Sequence, residues 1–152
     1  MLILTVLSAC PAITSGQAQG TTSVAKADEQ PTSQQEDPDF HGQMLAGKKF
    51  KKAKLKGANF REAMLVGADF RGANLEYADL EGAMLVGANL SGANLMNANF
   101  KNANLLGVQL DGARIEGTNF QNTAFLTQDQ LDEAKCGKSR ALPQGLKAPK
   151  AC

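Results

Sequence analysis

A large apolar residue stands at every fifth position from Leu55 to Phe125: Leu55, Phe60, Leu65, Phe70, Leu75, Leu80, Leu85, Leu90, Leu95, Phe100, Leu105, Leu110, Ile115, Phe120 and Phe125. The spacing extends back through Phe50 and Leu45 to Phe40, and all seven Phe of the chain fall on it. Ala nearly always stands two residues before each centre, and Gly usually two after it. On an α-helix a step of five turns the side chain by about 140°, which scatters the large residues around the cylinder. On a straight strand an odd step flips them to the opposite face each time. What remains is a chain that bends after every five residues, so that each large side chain points at a common axis. Such a chain coils into a solenoid whose successive turns pair through backbone hydrogen bonds.

The hexapeptide Ala63-Met64-Leu65-Val66-Gly67-Ala68 recurs unchanged as Ala83-Met84-Leu85-Val86-Gly87-Ala88, twenty residues later, which fits four units per coil. Sixteen consecutive units from Lys48 to Leu126, built on Ala-(Asp/Asn)-Leu-X-X, resemble the pentapeptide-repeat family. That resemblance implies an all-β fold, a right-handed quadrilateral parallel β-helix. Its expected core is the column of centres Phe60, Leu65, Phe70, Leu75, Leu80, Leu85, Leu90, Leu95, Phe100 and Leu105. Ala faces inward beside each centre, where only a small side chain fits. Asn or Asp just before the centre can hydrogen-bond nearby backbone and support the turn.

The expected organisation has four parts. Residues 1–10 are apolar and end in Leu7-Ser8-Ala9-Cys10, similar to the lipobox of bacterial lipoprotein precursors, in which the Cys is lipidated. An ordinary cleaved export signal or a chance apolar terminus is the alternative. Residues 11–38 are rich in Ser, Thr, Gln, Ala and Gly without apolar period, and read as a disordered tether. Residues 39–127 form the solenoid. In its first coil Lys48, Lys49, Lys51, Lys52, Lys54 and Lys56 crowd together, either to blunt an open end or to meet a polyanion such as lipid headgroups. In residues 128–152, Thr127 with Gln130 forms a capping box for a short helix, Gln128 to Lys135, closed by Gly137 and followed by a tail. With Cys10 lipidated, Cys136 and Cys152 remain as a pair expected to form a disulfide outside the cytoplasm, two free thiols being the alternative.

Twenty residues per coil give four outward sides. Three are mainly polar: Arg61, Glu81, Lys101 and Gln121 on one, Lys51, Arg71, Ser91 and Asp111 on the next, Lys56, Glu76, Met96 and Glu116 on the third. The fourth carries Ala46, Val66, Val86, Leu106 and Leu126 after its centres and Met44, Met64 and Met84 before them. With coils about 4.8 Å apart these side chains merge into one apolar stripe, the expected interface for a protein partner or a second copy.

Groups for chemistry are few. The single histidine, His41, lies at the ragged N-terminal edge and leaves little for an acid–base–nucleophile arrangement. Gly137-Lys138-Ser139 echoes the end of a phosphate-binding loop, but Asp132 stands where that motif needs Gly. No enzyme activity, metal or cofactor is expected. Nucleic acid is not expected either: the net charge is +1, and only Phe50, a core residue, interleaves with the lysines. The expectation is an envelope-located interaction scaffold, lipid-anchored through Cys10. The alternative is imitation of DNA, as in family members that bind gyrase; those are strongly acidic, whereas residues 39–127 hold ten Lys or Arg against eight Asp or Glu.

Overall fold

Each bridge residue pairs in parallel with the residue twenty further on: Asp39 with Asn59, Met44 with Met64, Lys49 with Asp69, Lys54 with Asn74, and so on to Asn104 with Ala124. Bridges recur every five residues, so each coil has four sides. The computed structural model describes residues 37–135 and 141–149. Side 1 has its centres at Phe40, Phe60, Leu80, Phe100 and Phe120; side 2 at Leu45, Leu65, Leu85 and Leu105; side 3 at Phe50, Phe70, Leu90 and Leu110; side 4 at Leu55, Leu75, Leu95 and Ile115. The bridges are isolated rather than parts of longer strands. A side that must turn after five residues has room for one bridge only.

From Phe40 to Asn102 each step between coils makes the same three bonds. On side 2, Leu65 and Gly67 donate forward to the carbonyls of Met84 and Val86, at 2.8 Å each, and Met84 donates back to Ala63 at 3.0 Å. The corner closes when Ala68 donates to the carbonyl of Leu65, 3.0 Å away. That corner needs a left-handed residue, and Gly67 takes it at φ 65°.

Every centre from Phe40 to Phe120 is buried, as are the inward Ala residues. Rings repeat at the coil spacing: Phe40 stacks on Phe60 at 4.7 Å and Phe50 on Phe70 at 4.8 Å, while Phe50 meets Phe60 edge-on at 5.7 Å. Where the inward Ala gives way to Thr118 the hydroxyl donates to the Leu95 carbonyl at 2.8 Å, so a polar group is buried without losing its bond.

The C-terminal end is closed. Helix α1 spans Gln128–Glu133, two residues shorter than the expected Gln128 to Lys135. Ala134 is already extended, and Lys135 pairs with Arg114, so the chain leaves the helix to rejoin the solenoid. Thr127 and Gln130 form the capping box, and Gln130 Nε2 also donates to the carbonyls of Val108 and Leu105, at 2.7 and 3.2 Å. Leu131 and Ala134 are buried, and Leu142 and Leu146 pack against the same core. Ala141 pairs with Asn119, adding a second tail bridge.

Candidate interaction surface

On sides 1, 3 and 4, with Lys49, Lys54, Gln109 and Arg114 as the exceptions, the Asn or Asp before each centre has a fixed task. Its side-chain oxygen accepts the backbone N–H two residues on: Asn59 from Arg61 at 3.1 Å, Asn74 from Glu76 at 3.2 Å, Asn89 from Ser91 at 3.0 Å and Asn99 from Lys101 at 3.2 Å. Its amide then reaches back to the preceding coil, as Asn119 does to Asn99 at 3.1 Å and Asn99 to Asp79 at 3.0 Å. Charges between coils add to the ladder on side 1, where Arg61 meets Glu81 at 2.9 Å and Asp79 at 3.1 Å, and Lys101 meets Glu81 at 4.0 Å. On side 3 the guanidinium of Arg71 makes two bonds to Asp69, at 2.6 and 2.8 Å, and these hold the Asp69 carboxyl down to about 2.

Side 2 departs from this pattern with apolar residues, where the exceptions on sides 3 and 4 are polar. Met44, Met64 and Met84 hold the Asn position, and a thioether there offers the turn amide no comparable acceptor. Among the described residues nothing accepts from the N–H of Ala46, Val66 or Val86. On the same side Asn104 restores the rule, accepting from Leu106 at 3.1 Å. The three methionines are exposed, Met44 by 77%, Met64 by 37% and Met84 by 43%, and Leu106 by 47%. Val66 and Val86 are half-buried between them. Side 2 thus presents a column of large apolar side chains with a column of unpaired amides beside it. The substitution of Met for Asn was legible in the sequence, and it was the signal for the amide column.

One residue of the expected stripe is elsewhere. Leu126 is buried, and Phe125, expected on the core grid, is 61% exposed. The left-handed corner that follows Asn122 (φ 56°) falls at Phe125 itself (φ 62°), three residues on instead of five. The chain therefore turns early, swinging Phe125 out and bringing Leu126 over the last coil. Cys10, Cys136 and Cys152, with the expected lipid anchor and disulfide, lie outside the described residues.

Eight copies of the pentapeptide repeat match the family model over residues 53–92 and 93–125. A pentapeptide repeat protein of the cyanobacterium Cyanothece 51142 is 32% identical over 62% of this chain and 68% of its own, with a TM-score of 0.38. This chain belongs to the pentapeptide-repeat family. The pentapeptide-repeat protein described here is also similar to one from Nostoc PCC 7120, at 30% identity over 70% of this chain and 84% of that one (TM-score 0.34). A third relative, from the thylakoid lumen of Arabidopsis thaliana, is 32% identical over 59% of this chain and 72% of its own (TM-score 0.21). No curated protein matches the chain significantly.

Proposed function

We propose that this pentapeptide-repeat protein is a non-enzymatic interaction scaffold of the bacterial cell envelope, lipid-anchored at Cys10, that binds a protein partner through side 2. The observation that carries the reading is the column of exposed apolar side chains Met44, Met64, Met84 and Leu106, with unpaired amides beside it. Apolar surface that merges across coils marks an interface, and Met adapts to a partner's shape. The amides at Ala46, Val66 and Val86 then favour a partner that brings acceptors. A second copy apposed through the same side would set donors against donors, so a different protein fits better than symmetric self-pairing. Imitation of DNA fits poorly, because the first coil carries six lysines against one acid, Asp39. An exported location is in keeping with the lumenal relative of Arabidopsis thaliana.

The test is site-specific photo-crosslinking in cells, with the probe at Leu106 on side 2 or at Gln121 on side 1. Adducts are expected from Leu106 and not from Gln121, and they should disappear when Val66→Lys and Val86→Lys are combined. Both valines lie outside the core column, so the double variant keeps the fold. Equal labelling from the two sides, or labelling from Leu106 that survives the double variant, rules out side 2 as the interface.

A further inference from the structure

The charge of the solenoid is divided along its length. Residues 37–58 hold six lysines against Asp37 and Asp39, whereas residues 59–127 hold four basic against seven acidic side chains. All six lysines are exposed, and among the described residues only Lys56 is in an ion pair, with Glu76 at 3.4 Å.

An open solenoid end favours cations for a simple reason. Each side donates two bonds forward and one back, so the N-terminal edge is left richer in carbonyls than in amides. Lysines there also discourage edge-to-edge stacking. Either role would call for lysines on every side. They occur only on sides 3 and 4 and the corner between them, while side 2 begins with Met44 and Ala46 and side 1 with Asp39 and His41. The lysines form a patch that faces one way.

Two corners beside that patch carry a conformational cost. Lys52 sits at φ 59°, where later coils place Gly72, Gly92 and Gly112. Tyr77 sits at φ 60° on the opposite edge of side 4, half-exposed, with the Lys56 ammonium 5.4 Å from its ring centre. A left-handed Lys or Tyr is disfavoured relative to Gly, so the backbone at these corners alone would favour Gly. An exposed Tyr beside Lys56, at the edge of a lysine patch, is the composition of a surface that rests among lipid headgroups. A single Tyr does not provide the run of aromatics on which successive bases stack.

We propose that the basic corner formed by sides 3 and 4 of the first coil is a docking surface for an anionic lipid bilayer. The surface is distinct from side 2 and shares with the proposed function only the envelope location. That coil is also the one joined directly to the N-terminal segment, so an anchor at Cys10 would bring it to the membrane first.

The test is co-sedimentation of the full chain carrying Cys10→Ala, which has no acylation site, with phosphatidylcholine vesicles containing or lacking phosphatidylglycerol. Binding is expected only with phosphatidylglycerol and should be lost in roughly 1 M salt, where the Debye length is about 3 Å. Each lysine near such a surface is worth roughly fivefold, so Lys49→Gln, Lys51→Gln and Lys54→Gln together should weaken binding about a hundredfold. Lys101→Gln with Arg114→Gln, distant from the corner, should change it little. Lys52→Gly should weaken binding roughly fivefold while raising the melting temperature, because the left-handed corner relaxes. A purely structural lysine would move both in the same direction. Equal binding to neutral vesicles, no loss in the triple variant, or tighter binding of duplex DNA through the same lysines would overturn the assignment. The Cys10→Ala background keeps this outcome separate from that of the lipid anchor.

Discussion

Leu85→Ala tests the stacked core most directly. Leu85 is fully buried, with Leu65 and Leu105 in register one coil before and one coil after it. Truncation removes three carbons, worth about 2.4 kcal/mol at about 0.8 kcal/mol for each buried methylene. The coil has little freedom to close the gap. Leu85 N–H is held by the Asn104 carbonyl at 2.9 Å, and the Met84 carbonyl accepts from Leu65 at 2.8 Å. With a cavity left behind, the loss should reach about 3–5 kcal/mol. Leu45→Ala provides the comparison. Leu45 is almost as buried, but among the described residues it has a coil on one side only, so roughly half the loss is expected. Urea unfolding followed by far-ultraviolet circular dichroism measures both, and the midpoint should fall far more for Leu85→Ala. Equal, small losses at the two sites would refute the argument that packing comes from coils on both sides.

Two further outcomes follow from residues already described. Cys10→Ala, expressed with a complete export signal, should move the protein from the membrane fraction to the soluble one; retention in the membrane would contradict lipid anchoring. The Asp69 carboxyl, held at about 2 by Arg71 against an ordinary 3.8, takes up its proton sooner in the unfolded chain than in the folded one. The stability it contributes is therefore present above about pH 4 and lost as pH falls towards 2. Asp69→Asn should flatten that part of a urea-midpoint-against-pH curve, and an unchanged slope would mean that the Arg71 pairing contributes nothing.

Most of the solenoid was legible because one steric rule repeats. A large centre and a small neighbour every five residues dictate the bend, and the twenty-residue recurrence around Leu65 and Leu85 dictates the register. The centres from Phe60 to Leu105 are all buried. The rule fails where the repeat meets the cap. Phe125 and Leu126 are both apolar and adjacent, so composition does not say which turns inward; an early left-handed corner decides it. Lys135 looked helical because the cap's helical pattern runs through it, but pairing with Arg114 draws it into the sheet. On side 2 the apolar stripe could be read from residue type. The replacement of Asn by Met could be read too, but the bond that Asn makes to the amide two residues on, and that Met leaves unmade, is visible only in the structure.

The tail pairing at Lys135 and Ala141 has a consequence for assembly. A rod with two bare ends can add copies head to tail without limit, because such contacts never close. Here the C-terminal end is occupied: Gly112 donates to Glu133, and Phe120 to Ala141. Among the described residues, no segment covers the edge formed by the first coil. End-to-end growth is left with at most one terminus per molecule, the N-terminal edge. Two such termini can meet only as a closed pair, which consumes both. The cap thus acts as a chain terminator, and repeats of this kind can be kept at high local concentration without a route to fibres along their axis.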